Sequence, residues 1–382
     1  MRIEPDTKDW TWVLDRPCPD CGFDAPALDL SRVPQAIRDN ATLWEVVLET
    51  DDAAVRPSPV VWSPLEYACH VRDVNELFDQ RLEQMLTEDD AHFANWDQDE
   101  TAVEKDYLGQ DPAAVAAEVV AAADRVAARY ETVGEADWDR TGTRSNGDRF
   151  TIDTFARYHL HDLVHHAHDV SHVTKRVTVA SYDAFADDYT AGVGGAADEV
   201  RAAIEEFAGD LGPGARVLEV GSGPGWDAEL LEAAGLSVRR TDITPAFVRR
   251  LREAGHEADV LDPLTDDLTD PRTKHVEGTG YDGVWADASL LHVRREDLPT
   301  VLAKLAAATR AGGHLFLAVK EGDGARFSTH GHVGAPRHFT FWREGPLREA
   351  LTEAGWRVDR MDKNGDHTGQ DWLVVRAVRA GA

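Results

Sequence analysis

Residues 217–226 read VLEVGSGPGW: a mostly apolar run, three glycines at alternate positions, then the start of a helical stretch. Such a run ending in glycines predicts a buried strand that turns sharply into a helix. Gly221, Gly223 and Gly225 let the backbone turn and let a ligand approach it closely. The pattern is G-x-G-x-G, not the G-x-G-x-x-G that seats a pyrophosphate in a dinucleotide fold. One βα unit further on, LSVRRTD ends in Asp242, placed to accept from both hydroxyls of a ribose. A carboxylate there repels a 2′-phosphate.

From this loop the pattern extends in both directions. ARVLEV, LSVRRTD, YDGVWAD and GGHLFLAV are strand-like, and each is followed by a helix-like stretch. The tail WRVDRMDKNGDHTGQDWLVVRAVR reads as two strands joined by a polar loop. Together they predict a doubly wound α/β domain closing with an antiparallel edge strand. The residues before about 174 are helical in pattern instead. Residues 31–50 are amphipathic, and Ser63, Pro64 and Glu66 form a capping box with proline in the first turn. Asp111–Pro112 starts a third long helix and Thr151 a fourth, which together predict an antiparallel four-helix bundle. Val173–Ser181 is the expected linker. The domains are thus expected at residues 1–174 and 179–382 of the 382 residues, a length that suits two domains.

Composition narrows the function classes. A formal net charge of −30 disfavours nucleic acid and anionic membrane as partners. No run is apolar for the ~18–20 residues a bilayer span needs. Three cysteines and an acidic N-terminal stretch without an apolar core point to a reducing cytoplasm. CPDCGFD (18–24) is a C-x-x-C knuckle, but no second C-x-x-C exists, so Cys18 and Cys21 read as half a metal site or a tight turn.

The glycine loop, Asp242, ADVLD (258–262), YDGVWADASLLHV (281–293) and LAAATRAGGHLFLAV together resemble the class I S-adenosylmethionine-dependent methyltransferases. The resemblance covers roughly residues 179–382. It implies that Glu219 and the loop Gly221–Gly225, with Ser222, lie near the methionine moiety of S-adenosylmethionine. It places Asp242 and the adjoining Ile243 at the ribose, and Asp259 with Val260 at the adenine. Ala286 and Asp287 would face the donor methyl, and Tyr189, in YDAFADDY (182–189), would close over the cofactor or else pack in the core. The sulfonium is already activated, so positioning supplies most of the catalysis. A base is needed only where the acceptor must lose a proton, and His292 is the candidate. The stretch 322–342 carries Arg326, His330, His332, Arg337 and His338, which suggests an anionic small-molecule acceptor or else an ordinary solvated loop.

The helical half carries YHLHDLVHHAHDVSH (158–172), with six histidines. WSPLEYACH followed by HDLVHHAHDV resembles the DinB-like superfamily, including mycothiol-dependent maleylpyruvate isomerases, over roughly residues 29–174. In that family one histidine of the second helix meets two ligands spaced i, i+4 on the last helix. His70 matches the first. For the others, ~100° per residue puts Ile152, Phe155, Leu163, Ala167, Val170 and Val173 on the buried face. His159 and His166 lie near that face and Asp162 at its edge, while His161, His165, His168 and His172 form a stripe on the opposite side. The preferred metal set is therefore His70, Asp162 and His166, with the register His161/His165 as one alternative and a bundle without metal, its histidines solvated or in the core, as another. The sequence departs from the family in offering Asp rather than Glu or His at the first helix position.

The sequence thus reads as an S-adenosylmethionine-dependent methyltransferase of a small molecule. Its N-terminal DinB-like bundle would hold a divalent zinc, nickel or iron ion. Two rivals remain: a metal- and thiol-dependent transferase or isomerase in the bundle with an accessory methyltransferase, and a bundle that serves only to form a homodimer.

Overall fold

In the computed structural model, which describes residues 10–272, 280–366 and 369–381, the chain divides into two units at Val173/Thr174. Four long helices, α1 (Val33–Leu48), α2 (Pro64–Thr87), α4 (Pro112–Tyr130) and α5 (Ile152–Asp169), pack against one another in the first unit. A short α3 (Gln98–Glu104) lies between the second and third of these. Their starts are chemically marked. Ser63 and Glu66 form the reciprocal capping box expected for α2, and Thr151 and Thr154 form another at α5. The Asp111 side chain accepts from the Ala114 amide at the start of α4. The unit also contains a small three-stranded sheet, β1 (Ala91–Phe93), β2 (Thr141–Arg144) and β3 (Arg149–Thr151). Strands of three or four residues are too short to show a period in the sequence.

α6 (Ser171–Ala184) runs across the division, and α7 (Ala186–Val193) and α8 (Asp198–Leu211) follow in the second unit. The expected linker Val173–Ser181 is therefore helical. Its small hydroxyl residues, which read as linker, are buried and bonded. Ser181 donates to the Pro336 carbonyl at 2.6 Å, and the Thr178 hydroxyl accepts from the His338 amide at 2.9 Å.

The sheet strands are β4 (Arg216–Val220), β5 (Ser237–Asp242), β6 (Ala258–Val260), β7 (Tyr281–Ala286) and β8 (Thr309–Lys320). Between and after them come α9 (Trp226–Ala233), α10 (Pro245–Glu253) and α11 (Leu298–Ala308). A hairpin of β9 (Ala325–Ser328) and β10 (Arg337–Thr340) follows, then α12 (Glu344–Glu353), β11 (Trp356–Gly365) and β12 (Asp371–Arg379). The seven-stranded order is β11-β12-β8-β7-β4-β5-β6. Strands β4 to β8 run parallel to one another, and the middle strands are near-continuous apolar runs because both faces are covered. On one face Trp285 stacks on Phe316 with centroids 3.8 Å apart, and Phe207 of α8 meets Trp285 edge-on.

The antiparallel strand is not at the edge. β12 lies between β8 and β11 and runs antiparallel to both. Its LVVRAV core explains this: Leu373, Val375 and Ala377 are buried, whereas RVDRMDK of β11 is largely exposed. The charged strand takes the edge, where charge discourages pairing with other chains.

Candidate cofactor and metal sites

The strand order reverses between β4 and β7, and ligands bind at the carboxyl ends of the strands at such a point. The glycine loop leaves β4 there. Gly221 and Gly225 have φ of 80° and 92°, in the left-handed region. A Cβ on Gly221 would lie 2.3 Å from Ser289 Cβ, and one on Gly225 would lie 2.6 Å from a Leu251 methyl. Only glycine fits either position. Gly223 also has a positive φ, but a Cβ there would meet nothing, so it faces the open side of the loop.

Asp242, at the end of β5, is 6% exposed. It accepts from the Gly223 amide at 2.8 Å and the Thr244 amide at 2.7 Å, one on each oxygen. Burial nonetheless raises its pKa above the ordinary value. Ile243 follows it in the chain. Val260, at the end of β6, is 50% exposed, an apolar surface where a planar ring can lie.

Two of the predicted residues are engaged by neighbouring side chains. Glu219 is buried beneath the loop, and the Ser222 hydroxyl donates to it. Burial pushes the Glu219 carboxyl up to about 8. Ser222 Oγ also accepts from the Thr241 amide at 3.1 Å, so Glu219 and Ser222 brace the loop from below. Asp259 is held by Arg239 Nε at 3.0 Å, turned toward β5.

At the end of β7, Ala286 is fully buried, and Asp287 meets Asp227 of the first turn of α9. Burial and then the facing carboxyl push Asp287 up to about 8, so the pair retains a proton. The indole of Trp285 donates to Asp227 at 2.9 Å. Ala288 follows with φ of 49°, a strained conformation for alanine. Asp227 was not singled out from the sequence. Its place directly after the loop, in GPGWD, is the signal that could have found it.

Tyr189 packs edge-on against Tyr182 and Phe247, with centroids 5.6 and 5.7 Å apart. The Tyr182 hydroxyl lies 3.0 Å from His292 Nε2 and accepts from Arg337 at 3.4 Å. His292 Nδ1 donates to the His338 carbonyl, so Nε2 accepts from the tyrosine. Burial pushes His292 down to about 3, and its Nε2 is engaged with the Tyr182 hydroxyl. Of the basic stretch, His338 is buried and Arg326 lies over the Phe341 ring. Arg337 is 5% exposed, and its Nε has no hydrogen-bond partner among the described residues.

In the first unit, His70, Asp162 and His166 converge, with one ligand atom from each within 4.8 Å of the others. His70 is fully buried and 3.5 Å from Asp162 Oδ1, yet neither ring nitrogen meets hydrogen-bond geometry with any described residue. Burial holds it below its ordinary pKa and hence neutral, the form that binds metal. His166 Nδ1 donates to Asp169 at 2.9 Å, which turns Nε2 toward Asp162 Oδ1 at 3.7 Å. A carboxylate behind the second ring nitrogen is how ligating histidines are commonly oriented. The buried nitrogens of His70 and Asp162 Oδ1, none with a hydrogen-bond partner among the described residues, fit a divalent ion. Trp62 and Trp96 flank His70, and Tyr67 flanks His166. His159 is a core group: it donates to Asn75 at 3.1 Å and stacks on Phe78 at 4.2 Å.

The opposite stripe does not face solvent throughout. His161 is 3% exposed and His165 is half-buried, because residues 10–28 cover them, with Trp10 against both rings. His172 is exposed. The helical wheel assumed that nothing packs outside the bundle.

Residues 35–170 match the model of the DinB superfamily, and residues 194–360 match that of a methyltransferase domain. The chain therefore joins a region that matches the DinB superfamily to one that matches a methyltransferase domain. Among curated proteins it is 30% identical over 161 residues to hemagglutinin 1 of Eikenella corrodens, covering 42% of this chain and 50% of that protein. The chain thus spans about half the length of that relative. Among solved structures it is similar to the 1,6-didemethyltoxoflavin-N1-methyltransferase of Burkholderia thailandensis, at 22% identity and a TM-score of 0.42, over 56% of this chain and 90% of that one. It is also similar to the magnesium protoporphyrin IX methyltransferase of Synechocystis PCC 6803, at 18% identity and a TM-score of 0.41, over 54% and 97%. Among the described residues no helix is long and apolar enough to cross a membrane.

Proposed function

We propose that the second unit transfers the methyl group of S-adenosylmethionine to an anionic small molecule, and that the first unit binds one divalent metal ion. The observation that carries the reading is Asp242. Its buried carboxylate is fixed by two backbone amides beside a glycine loop at the switch point of the sheet. Such a group is positioned in advance for a ribose diol. The acceptor is proposed to be anionic because Arg337, buried and with Nε unpartnered among the described residues, stands against the Tyr182 hydroxyl. The arginine would hold the acceptor while Tyr182, fixed by His292, orients it.

In the first unit, His70, Asp162 and His166 would be the protein ligands of the metal. Three protein ligands leave open positions of the kind suited to a thiolate or water. That feature keeps a thiol-dependent reaction in the bundle as a second reading. The chain would work without nucleic acid or membrane, in keeping with its net charge of −30.

The test is incubation of the full chain with methyl-labelled cofactor and a cell extract. Label is expected in the small-molecule fraction and lost in the Arg337→Gln variant for an anionic acceptor. Label confined to protein or nucleic acid would reject the small-molecule reading. Turnover that depends on an added thiol and is lost in His70→Ala would favour the second.

A further inference from the structure

α5 carries two interleaved i, i+4 pairs, 161/165 and 162/166. Offset by one residue, they differ in direction by ~100°. The second pair looks toward His70, and the first looks toward the N-terminal knuckle. One ligand atom from each of Cys18, Cys21, His161 and His165 lies within 4.8 Å of the others. Ligand atoms at ~2.0–2.3 Å from a tetrahedral zinc stand ~3.3–3.8 Å apart, and Cys18 Sγ is 3.7 Å from His165 Nδ1.

We infer that Cys18, Cys21, His161 and His165 form a second metal site, a closed Cys2His2 zinc centre that fastens the N-terminal segment to α5. Four observations support it independently of the His70 site. The four side chains belong to segments about 140 residues apart in sequence, yet converge on one point. Both thiols are buried, at 1% and 4% exposure, and are not joined in a disulfide. The knuckle is shaped for two sulfurs to point the same way: the Gly22 amide donates to the Cys18 carbonyl at 2.9 Å, and Gly22 has φ of 70°. Aromatic rings line the site, with Trp10 against both imidazoles and Phe23 against His161.

Two sulfurs and two imidazoles in a tetrahedral arrangement select zinc, and four protein ligands leave no position for a substrate. The centre is therefore structural. On binding, each thiol releases its proton to solvent and the thiolates become ligands. The neighbouring Arg157 of α5 donates to the Ala25 and Leu28 carbonyls, so the same segment is tied down one turn away. Zinc at this place would fix the rotation of α5, and with it the direction of Asp162 and His166.

The experiment is metal analysis of the full chain after zinc reconstitution and desalting, with a parallel cobalt-loaded sample. The His70→Ala variant is expected to retain one equivalent of zinc, and Cys21→Ser in that background to retain none. The cobalt form should show a thiolate-to-metal charge-transfer band that is present in His70→Ala and absent in Cys18→Ser and Cys21→Ser. Should the cysteine variants fail to fold, titrating His70→Ala with a thiol-capping mercurial should release one equivalent of zinc per chain. No zinc released by the mercurial, no thiolate band, or a Cys18–Cys21 disulfide after anaerobic purification would each overturn the inference. Loss of one of two zinc equivalents on His70→Ala, with the thiolate band intact, would support it and would also separate it from the His70 site.

Discussion

The two units build their sites in opposite ways. The methyltransferase unit uses backbone: a left-handed glycine loop, strand ends and amides that fix Asp242. The bundle uses side chains alone, carried on straight helices whose backbone bonds are spent within the helix. The first kind of site is set by local geometry, and every part lies at the end of an adjacent strand. The second exists only when helices distant in sequence come into register. The difference predicts how each site should fail. A backbone-built site should be sensitive to a single added methyl, and a side-chain-built site to ligand identity and little else.

The largest effect is expected at the bundle. Loss of an outer partner of a metal ligand costs ~10–100-fold in affinity, and loss of a ligand should cost at least as much. His70→Ala should therefore leave the three-ligand site empty while S-adenosylmethionine affinity of the full chain stays within about twofold on the calorimetric scale. Retention of metal at that site, measured by difference from the thiolate-bound equivalent, would break the assignment of His70.

Next is Gly221→Ala, which combines a left-handed φ of 80° with a Cβ 2.3 Å from Ser289 Cβ. The loop must move, with a cost of at least ~2 kcal/mol and on the order of 100-fold in cofactor affinity. A Gly223→Ala variant sharpens the comparison, since its Cβ meets nothing and only the φ of 51° is unfavourable. Equal losses in the two variants, by calorimetry, would show that the close approach at Ser289 is not what the first glycine provides.

Asp242→Ala should weaken cofactor binding by ~1.5–3 kcal/mol through loss of charge-assisted bonds to the ribose. Its metal content should not change. Unchanged cofactor affinity would remove Asp242 from the site and with it the main support for the cofactor reading.

How far the sequence could be read follows the same division. G-x-G-x-G, Asp242 and the switch to βα periodicity are local signals, and they located the loop and the carboxyl ends of the strands. The order of the last two strands was not recognised, although the apolar LVVRAV against the charged RVDRMDK distinguishes the inner from the outer strand. In the bundle, helix direction separated Asp162 and His166 from the core residue His159 only in part, because His159 also lies near the buried face. What a helical wheel cannot contain is a covering segment. His161 and His165 read as solvent-facing because Cys18 and Cys21, some 140 residues earlier, carry no periodic signal pointing to α5. Asp259 was a residue of the right type at the right strand end. Its engagement with Arg239 depends on which way one side chain turns.

The smallest effect concerns Glu219, which lies beneath the loop and serves the backbone-built site without facing it. Burial raises its carboxyl to about 8, against an ordinary value of 4.5. The folded chain therefore keeps a proton that the unfolded chain has lost between those two values. Stability rises with pH where the unfolded state binds more protons, and here the folded state does. The Glu219 contribution is thus full below about 4.5 and declines as pH rises toward about 8. Glu219→Gln keeps the shape and removes the titration. The wild type should lose stability between pH 5.5 and 8 relative to the variant by roughly 1–3 kcal/mol, seen as a difference in the change of Tm by calorimetry without cofactor. Any pH dependence from the first unit is common to both proteins and cancels in that difference. A variant that falls in step with wild type across this range would mean that Glu219 is ionised in the folded chain. The Ser222 hydroxyl, which donates to it, would then be stabilising a charge and not a neutral acid.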